Sequence, residues 1–114
     1  MSELGIRPRM LVKDVMTSPV ITISEEGIVH DAAKQMDKHD VGCIVVTDKK
    51  DKPVGIITER DLITRVLAKN LLANKVKAKK VMTSPLLTID PDENLTEAAR
   101  KMSRLNVRRL GVIY

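Results

Sequence analysis

A threonine and an aspartate three positions apart, Thr58 and Asp61, follow directly on the apolar run Val54-Gly55-Ile56-Ile57. Where a β run turns into a helix, unpaired N–H groups and the positive end of the helix dipole lie beside these side chains. A hydroxyl and a carboxylate placed there can hold anionic oxygens and accept hydrogen bonds from hydroxyl groups. The same spacing also reads as a capping box, Thr58-Glu59-Arg60-Asp61, in which the Thr58 side chain takes the backbone N–H of Asp61. The two roles are compatible, because a cap fixes the hydroxyl in place. A second charged pair is Arg108-Arg109. Adjacent residues entering a strand point to opposite faces, so at least one guanidinium is aimed inward or along a cleft. The single cysteine, Cys43, falls in an apolar run and reads as a small buried hydrophobe. His30 and His39 are nine positions apart, on opposite sides of a helix, which argues against a shared metal. No Ser/His/Asp set, Walker loop or zinc motif is present, and no catalysis or metal is expected.

The elements that must position these groups follow from periodicity. Val20, Ile21 and Ile23 form a short β run after Ser18-Pro19, which cannot continue a helix. Ile28, Val29, Ala32, Ala33 and Met36 recur at helical spacing. Val41 to Thr47 is a second, β-branched strand, and the strand-helix-strand order favours a parallel crossover pair. The polar turn Asp48 to Pro53 leads into a third strand, Val54 to Thr58, as an antiparallel hairpin. Leu62, Ile63, Val66 and Leu67 give a second helical stripe fading near Asn70 or Asn74, and Asn74 to Lys80 reads as a linker. Beyond it, Leu86, Leu87 and Ile89 repeat the first strand. Leu95, Ala98, Ala99, Met102 and Leu105 repeat the helix, and Val107 to Ile113 the second strand.

The chain is 114 residues long with 43% hydrophobic and 31% charged positions, which bounds one compact domain or a tandem pair of small units. One tyrosine, no tryptophan and no phenylalanine argue against an aromatic-lined site and leave the core to Val, Ile and Leu. The longest apolar runs fall far short of a membrane span, no signal peptide is visible at the N-terminus, and a cytoplasmic location is expected. Net charge is +5 but uneven: residues 1–57 carry 8 basic and 9 acidic groups, residues 58–114 carry 12 and 6. The second half is suited to anions such as nucleotide phosphates, nucleic acid or acidic partners.

Setting the chain against itself at an offset of 66 aligns Lys13-Asp14-Val15-Met16-Thr17-Ser18-Pro19 with Lys79-Lys80-Val81-Met82-Thr83-Ser84-Pro85, six of seven identical. Thr22-Ile23, Ala32-Ala33, Met36, Val41 and Val46 also recur, so that about 13 of 37 paired positions agree. Composition alone predicts two or three, and the chain is read as a duplicated unit with a pseudo-two-fold axis.

With Val-Met-Thr-Ser-Pro repeated before a β run, and Gly55-Ile56-Ile57-Thr58-Glu59-Arg60-Asp61 between the copies, the sequence resembles the cystathionine-β-synthase (CBS) domain pair, or Bateman module. The resemblance implies a mixed α+β fold of tandem β-α-β-β-α repeats, here with residues 1–11 as an N-terminal segment, repeat one at 12–73, a linker at 74–77 and an incomplete repeat two at 78–114. It implies a regulatory sensor, not an enzyme, that binds an adenosine-containing ligand in the cleft between repeats. AMP, ADP, ATP and S-adenosylmethionine are the candidates, and no catalytic cofactor is implied. By resemblance Thr58 contacts phosphate and Asp61 ribose; Leu86, Leu87 and Val107 line the adenine slot, and Arg108 and Arg109 meet phosphates. Unit one has Gly42 and Cys43 where unit two has the two arginines, so the pockets are not equivalent. Tyr114 pairs with Asp48, leaving repeat two without a counterpart of the last strand and helix; a second pocket lined by Val20, Ile21 and Val41 is therefore expected to be impaired. A homodimer is expected, built through the helices and through the unpartnered strand Val107 to Ile113, with an effector enzyme, transporter or transcription factor acting in trans and no membrane partner. Two alternatives remain. One is a nucleic-acid-binding module using Lys75, Lys77, Lys79 and Lys80, although it lacks the stacking aromatics that single-strand binders use. The other is an interaction scaffold with vestigial pockets, in which Asp61→Ala changes little.

Overall fold

The structure is a computed structural model that describes residues 20–86, 88–104 and 111–112, with Ile89, Leu95, Gly111 and Val112 described by backbone alone. The chain divides into two units, one of them Pro19–Leu86 and the other containing residues 88–112.

The first unit is built on a three-stranded sheet in the order β1-β2-β3: β1 Thr22–Ser24, β2 Cys43–Thr47 and β3 Pro53–Thr58. β1 runs parallel to β2, with Thr22 opposite Val45 and Ser24 opposite Thr47. β2 and β3 form the expected hairpin, with Cys43 opposite Thr58 and an irregularity at Val46/Thr47. The crossover between β1 and β2 is helix α1, Val29–His39, which stops where Asp40 adopts a left-handed conformation (φ 52°) and its N–H turns back to the carbonyls of Asp37 and Met36. Val29, Ala32 and Met36, at the i, i+3, i+7 spacing of one helix face, are buried against Ile44 and Val46 of β2 and Ile57 of β3. Small Ala32, with no exposed surface, lets the helix approach the sheet closely.

Two expectations change at the end of this unit. The second helical stripe is short: α2 spans Glu59–Leu62 and passes into one π turn, Ile63–Leu67, which turns Val66 into the core and leaves Ile63, Leu67, Leu71 and Leu72 exposed. The stretch read as a linker is folded. A 3-10 turn, Ala73–Lys75, is followed by α3, Ala78–Val81. Ala78 and Val81, one helical turn apart, are buried in the core at 0% and 1% exposure. The stretch is also tied to the loop before α1, through Val29 N–H to Val76 O (2.8 Å), Ala78 N–H to Gly27 O (2.7 Å) and Lys79 N–H to Glu25 O (3.0 Å).

The second unit shows the duplication in its register. β4 Thr88–Ile89 runs parallel to β5 Gly111–Val112, with Thr88 opposite Gly111 and Ile89 opposite Val112, each pair 66 residues beyond Thr22/Val45 and Ile23/Val46. Helix α4, Leu95–Arg104, falls at the same offset from α1, and Asn94 accepts the Thr96 N–H at its start. Lys101 donates to the Thr88 carbonyl (2.5 Å). The remainder of the strand expected at Val107 to Ile113 lies outside the described residues.

Candidate functional site

Both readings of Thr58 and Asp61 begin from the same geometry, and the capping box is present. β3 delivers Thr58 in an extended conformation, and α2 begins at the next residue. The Thr58 hydroxyl accepts the Asp61 N–H at 3.2 Å, while Asp61 Oδ2 accepts the Thr58 N–H at 2.9 Å and the Thr58 hydroxyl at 3.1 Å. Glu59 N–H anchors the turn to the Gly42 carbonyl at the head of β2 (3.1 Å).

Two residues the sequence reading did not single out complete the site. The Thr83 hydroxyl lies 3.3 Å from Asp61 Oδ1 and 3.4 Å from Oδ2, and Arg65 Nε lies 3.6 Å from Oδ1. Arg65 Nη1 also donates to the carbonyls of Val81 (3.3 Å) and Met82 (3.0 Å), so one guanidinium joins the carboxylate to the end of α3. Asp61 is only 7% exposed, whereas Thr83 and Arg65 are exposed. The result is an acceptor-only carboxylate with hydroxyl and guanidinium donors on its rim, which can take a pair of hydroxyl groups and an adjacent anion. A signal for Arg65 existed in its i+4 spacing from Asp61. For Thr83 the signal was its place in the duplicated motif.

The approach of Met82-Thr83 to β3 depends on Gly55. Ile56 and Thr83 exchange both backbone hydrogen bonds (Ile56 N–H to Thr83 O 3.0 Å, Thr83 N–H to Ile56 O 2.8 Å), giving β3 a partner on its outer edge. A Cβ on Gly55 would lie 2.7 Å from Met82 Sδ and 2.8 Å from the Thr83 carbonyl oxygen.

The structure thus brings Thr58, Asp61 and Thr83 together, with Leu86 half-buried three residues further on. Leu87, Val107, Arg108 and Arg109 lie outside the described residues. Of the residues expected to line a second pocket, Val20 is exposed, while Ile21 and Val41 pack against the core of the first unit. Cys43 is half-buried rather than buried, because strand alternation turns Ile44 and Val46 into the core and leaves Cys43 on the other face with Val45. His30 and His39 are exposed, and no group of three or more metal-ligating side chains occurs among the described residues. The lysine cluster is partly neutralised. Glu26 meets Lys77 at 2.7 Å and Lys79 at 2.8 Å, and the two hydrogen-bonded ammonium groups lower the Glu26 carboxyl from its ordinary 4.5 to about 2. In return Glu26 raises the Lys79 ammonium. No helix among the described residues is long and apolar enough to cross a membrane.

A parallel β-α-β unit is repeated at a fixed offset, and in the first copy a Thr/Asp junction joins the last strand to the helix that follows it. The CBS domain family model matches residues 12–68 and 78–114, and the chain belongs to that family. It is 31% identical to a CBS domain-containing protein of Bacillus subtilis over 90% of this chain and 71% of that one. It is 34% identical to an uncharacterized protein of Methanopyrus kandleri over 90% of this chain, and 35% identical to the L-aspartate semialdehyde sulfurtransferase of Methanocaldococcus jannaschii over 93% of it. The chain spans about half the length of the former relative and a fifth of the latter. Among solved structures, a CBS domain protein of Pyrobaculum aerophilum complexed with AMP matches with a TM-score of 0.81 at 26% identity, over 91% of this chain and 79% of that one. A CBS domain pair in complex with 5′-methylthioadenosine and S-adenosyl-L-methionine matches at 0.81 and 34% identity, over 94% and 82%. A hexameric CBS-CP12 protein from bloom-forming cyanobacteria matches at 0.85 and 26% identity, over 92% and 59%.

Proposed function

We propose that this chain is a regulatory module that senses an adenosine-containing ligand and passes its state to an effector. The observation that carries the reading is the Thr58–Asp61 junction, where a buried, oriented carboxylate stands at the end of a strand among hydroxyl and guanidinium donors. Similar structures holding AMP, or 5′-methylthioadenosine with S-adenosyl-L-methionine, support the adenosine chemistry. In this reading Asp61 accepts from the ribose hydroxyls and Thr58 faces phosphate. Leu86, Leu87 and Val107 receive adenine, and Arg108 and Arg109 neutralise phosphate. Thermal unfolding with AMP, ADP, ATP and S-adenosylmethionine tests this. A ligand present at about 100 times its Kd adds about 2.7 kcal/mol, a rise of roughly 10 °C for a small domain. No shift with any of the four refutes the reading.

The module assembles as a homodimer in the same proposal. Support comes from the exposed apolar side chains Ile63 and Leu67, one turn apart, and from the neighbouring Leu71 and Leu72. Static light scattering is expected to report a dimeric mass that Leu67→Glu halves; a monomeric wild-type mass contradicts it.

A further inference from the structure

We propose that Thr83 is an intramolecular competitor for Asp61, and that Arg65 couples the outcome of that competition to the segment Val81–Thr83, so that the three residues act as a ligand-released latch. The inference rests on the reading of Asp61 as the acceptor of ligand hydroxyls, and it assigns the residues that set the affinity of that acceptor.

The carboxylate has about four lone-pair directions. Its two contacts with Thr58, at 2.9 and 3.1 Å, are made between residues three apart within one turn and are fixed by the capping box. The Thr83 hydroxyl is the longest of the hydrogen-bonding donors at 3.3 and 3.4 Å, is divided between both oxygens, and comes from an exposed residue 22 positions away. An incoming pair of hydroxyl groups needs directions that Thr83 now occupies, and Thr83 is the partner that yields first. Arg65 carries the consequence. Its Nε faces Asp61 Oδ1 while its Nη1 holds the Val81 and Met82 carbonyls. Lysine, with a single nitrogen, cannot serve both ends in this way. What otherwise fastens Thr83 to the sheet is the single backbone bridge to Ile56. Occupation of Asp61 therefore loosens Thr83, which lies beyond the core-anchored Val81 and five positions before the first residue of β4.

Two measurements on the full chain test this. In calorimetric titrations with AMP, Thr83→Val and Thr83→Ala are expected to bind about three- to tenfold more tightly than wild type, the equivalent of one net hydrogen bond. Thr83→Ser should match wild type, and Asp61→Asn should bind at least tenfold more weakly. In ligand-free amide exchange, the Thr83 N–H should exchange at least about fivefold faster in Asp61→Asn and Arg65→Leu, with Arg65→Lys between them and wild type and the β2 amides unchanged. Thr83 variants that bind AMP no better than wild type, or an unchanged Thr83 exchange rate in both Asp61→Asn and Arg65→Leu, overturn the latch and leave the nucleotide reading intact. AMP binding by none of the proteins overturns both.

Discussion

Replacing Gly55 by alanine tests whether the close approach of Met82-Thr83 to β3 governs this region. An added Cβ meets Met82 Sδ at 2.7 Å and the Thr83 carbonyl oxygen at 2.8 Å, whereas van der Waals separations lie near 3.5 Å, so each neighbour must retreat by roughly 0.7 Å. Met82 can swing its flexible thioether aside. Thr83 cannot, because the clashing atom is main chain and accepts the Ile56 N–H. A retreat of that size stretches both hydrogen bonds of the Ile56–Thr83 bridge, about 1 kcal/mol each, and adds overpacking strain of about 1–3 kcal/mol. Alanine returns about 0.5–1 kcal/mol of backbone entropy, leaving a net loss of about 2–4.5 kcal/mol. The assay is urea unfolding followed by far-UV circular dichroism, since the chain has no tryptophan. Gly55→Ala/Met82→Ala should recover less than half of the loss. A neutral or stabilised Gly55→Ala refutes the reasoning, because alanine in an unobstructed strand would be expected to stabilise.

Asp61→Ala is expected to lower stability by about 2–4 kcal/mol in the same assay even without ligand, because it removes a buried carboxylate and leaves the half-buried Thr58 N–H and hydroxyl without their charged acceptor. The scaffold reading, in which this substitution changes little, fails on that result. Glu26→Gln tests the lysine pair. With the Glu26 carboxyl lowered to about 2, the unfolded chain binds its proton first as pH falls, so the pair's contribution is present above about pH 4.5 and lost towards pH 2. Melting temperatures of wild type and Glu26→Gln should therefore differ most near neutrality and converge towards pH 2, and the difference should shrink in 0.5 M salt because the pair is exposed. A gap that is constant with pH contradicts the pairing.

Much of the scaffold was legible because it is written in periodicity. Val29, Ala32 and Met36 lie on one face of a helix, and Ile44, Val46 and Ile57 alternate on strands, so burial of those side chains follows from spacing alone. The duplication was legible for a stronger reason: an offset of 66 carries the strand register with it, and Thr88/Gly111 repeats Thr22/Val45. Thr58 and Asp61 were legible as a pair because the capping box is a local, i to i+3 device. The same alternation that placed Ile44 and Val46 inside should have placed Cys43 with Val45, and the general tendency of cysteine to be buried overrode it.

What periodicity does not encode is how a polar segment satisfies a sheet edge. Asn74 to Lys80 reads as solvated linker because four of its seven residues are lysines, yet Ala78 and Val81, one turn apart, are enough to seat α3. Once α3 is seated, Met82-Thr83 falls beside β3, whose outer edge would otherwise present unpaired groups. The pairing at Ile56, the missing side chain at Gly55, the Thr83 hydroxyl on Asp61 and the Arg65 grip on the Val81 and Met82 carbonyls all follow from that one placement. Each is a contact between residues sixteen or more apart in sequence, apart from the local Arg65–Asp61 pair. A carboxylate whose partners come from both a local turn and a distant segment reports on that segment, and a substitution at Gly55 should therefore change the surroundings of Asp61 without touching it.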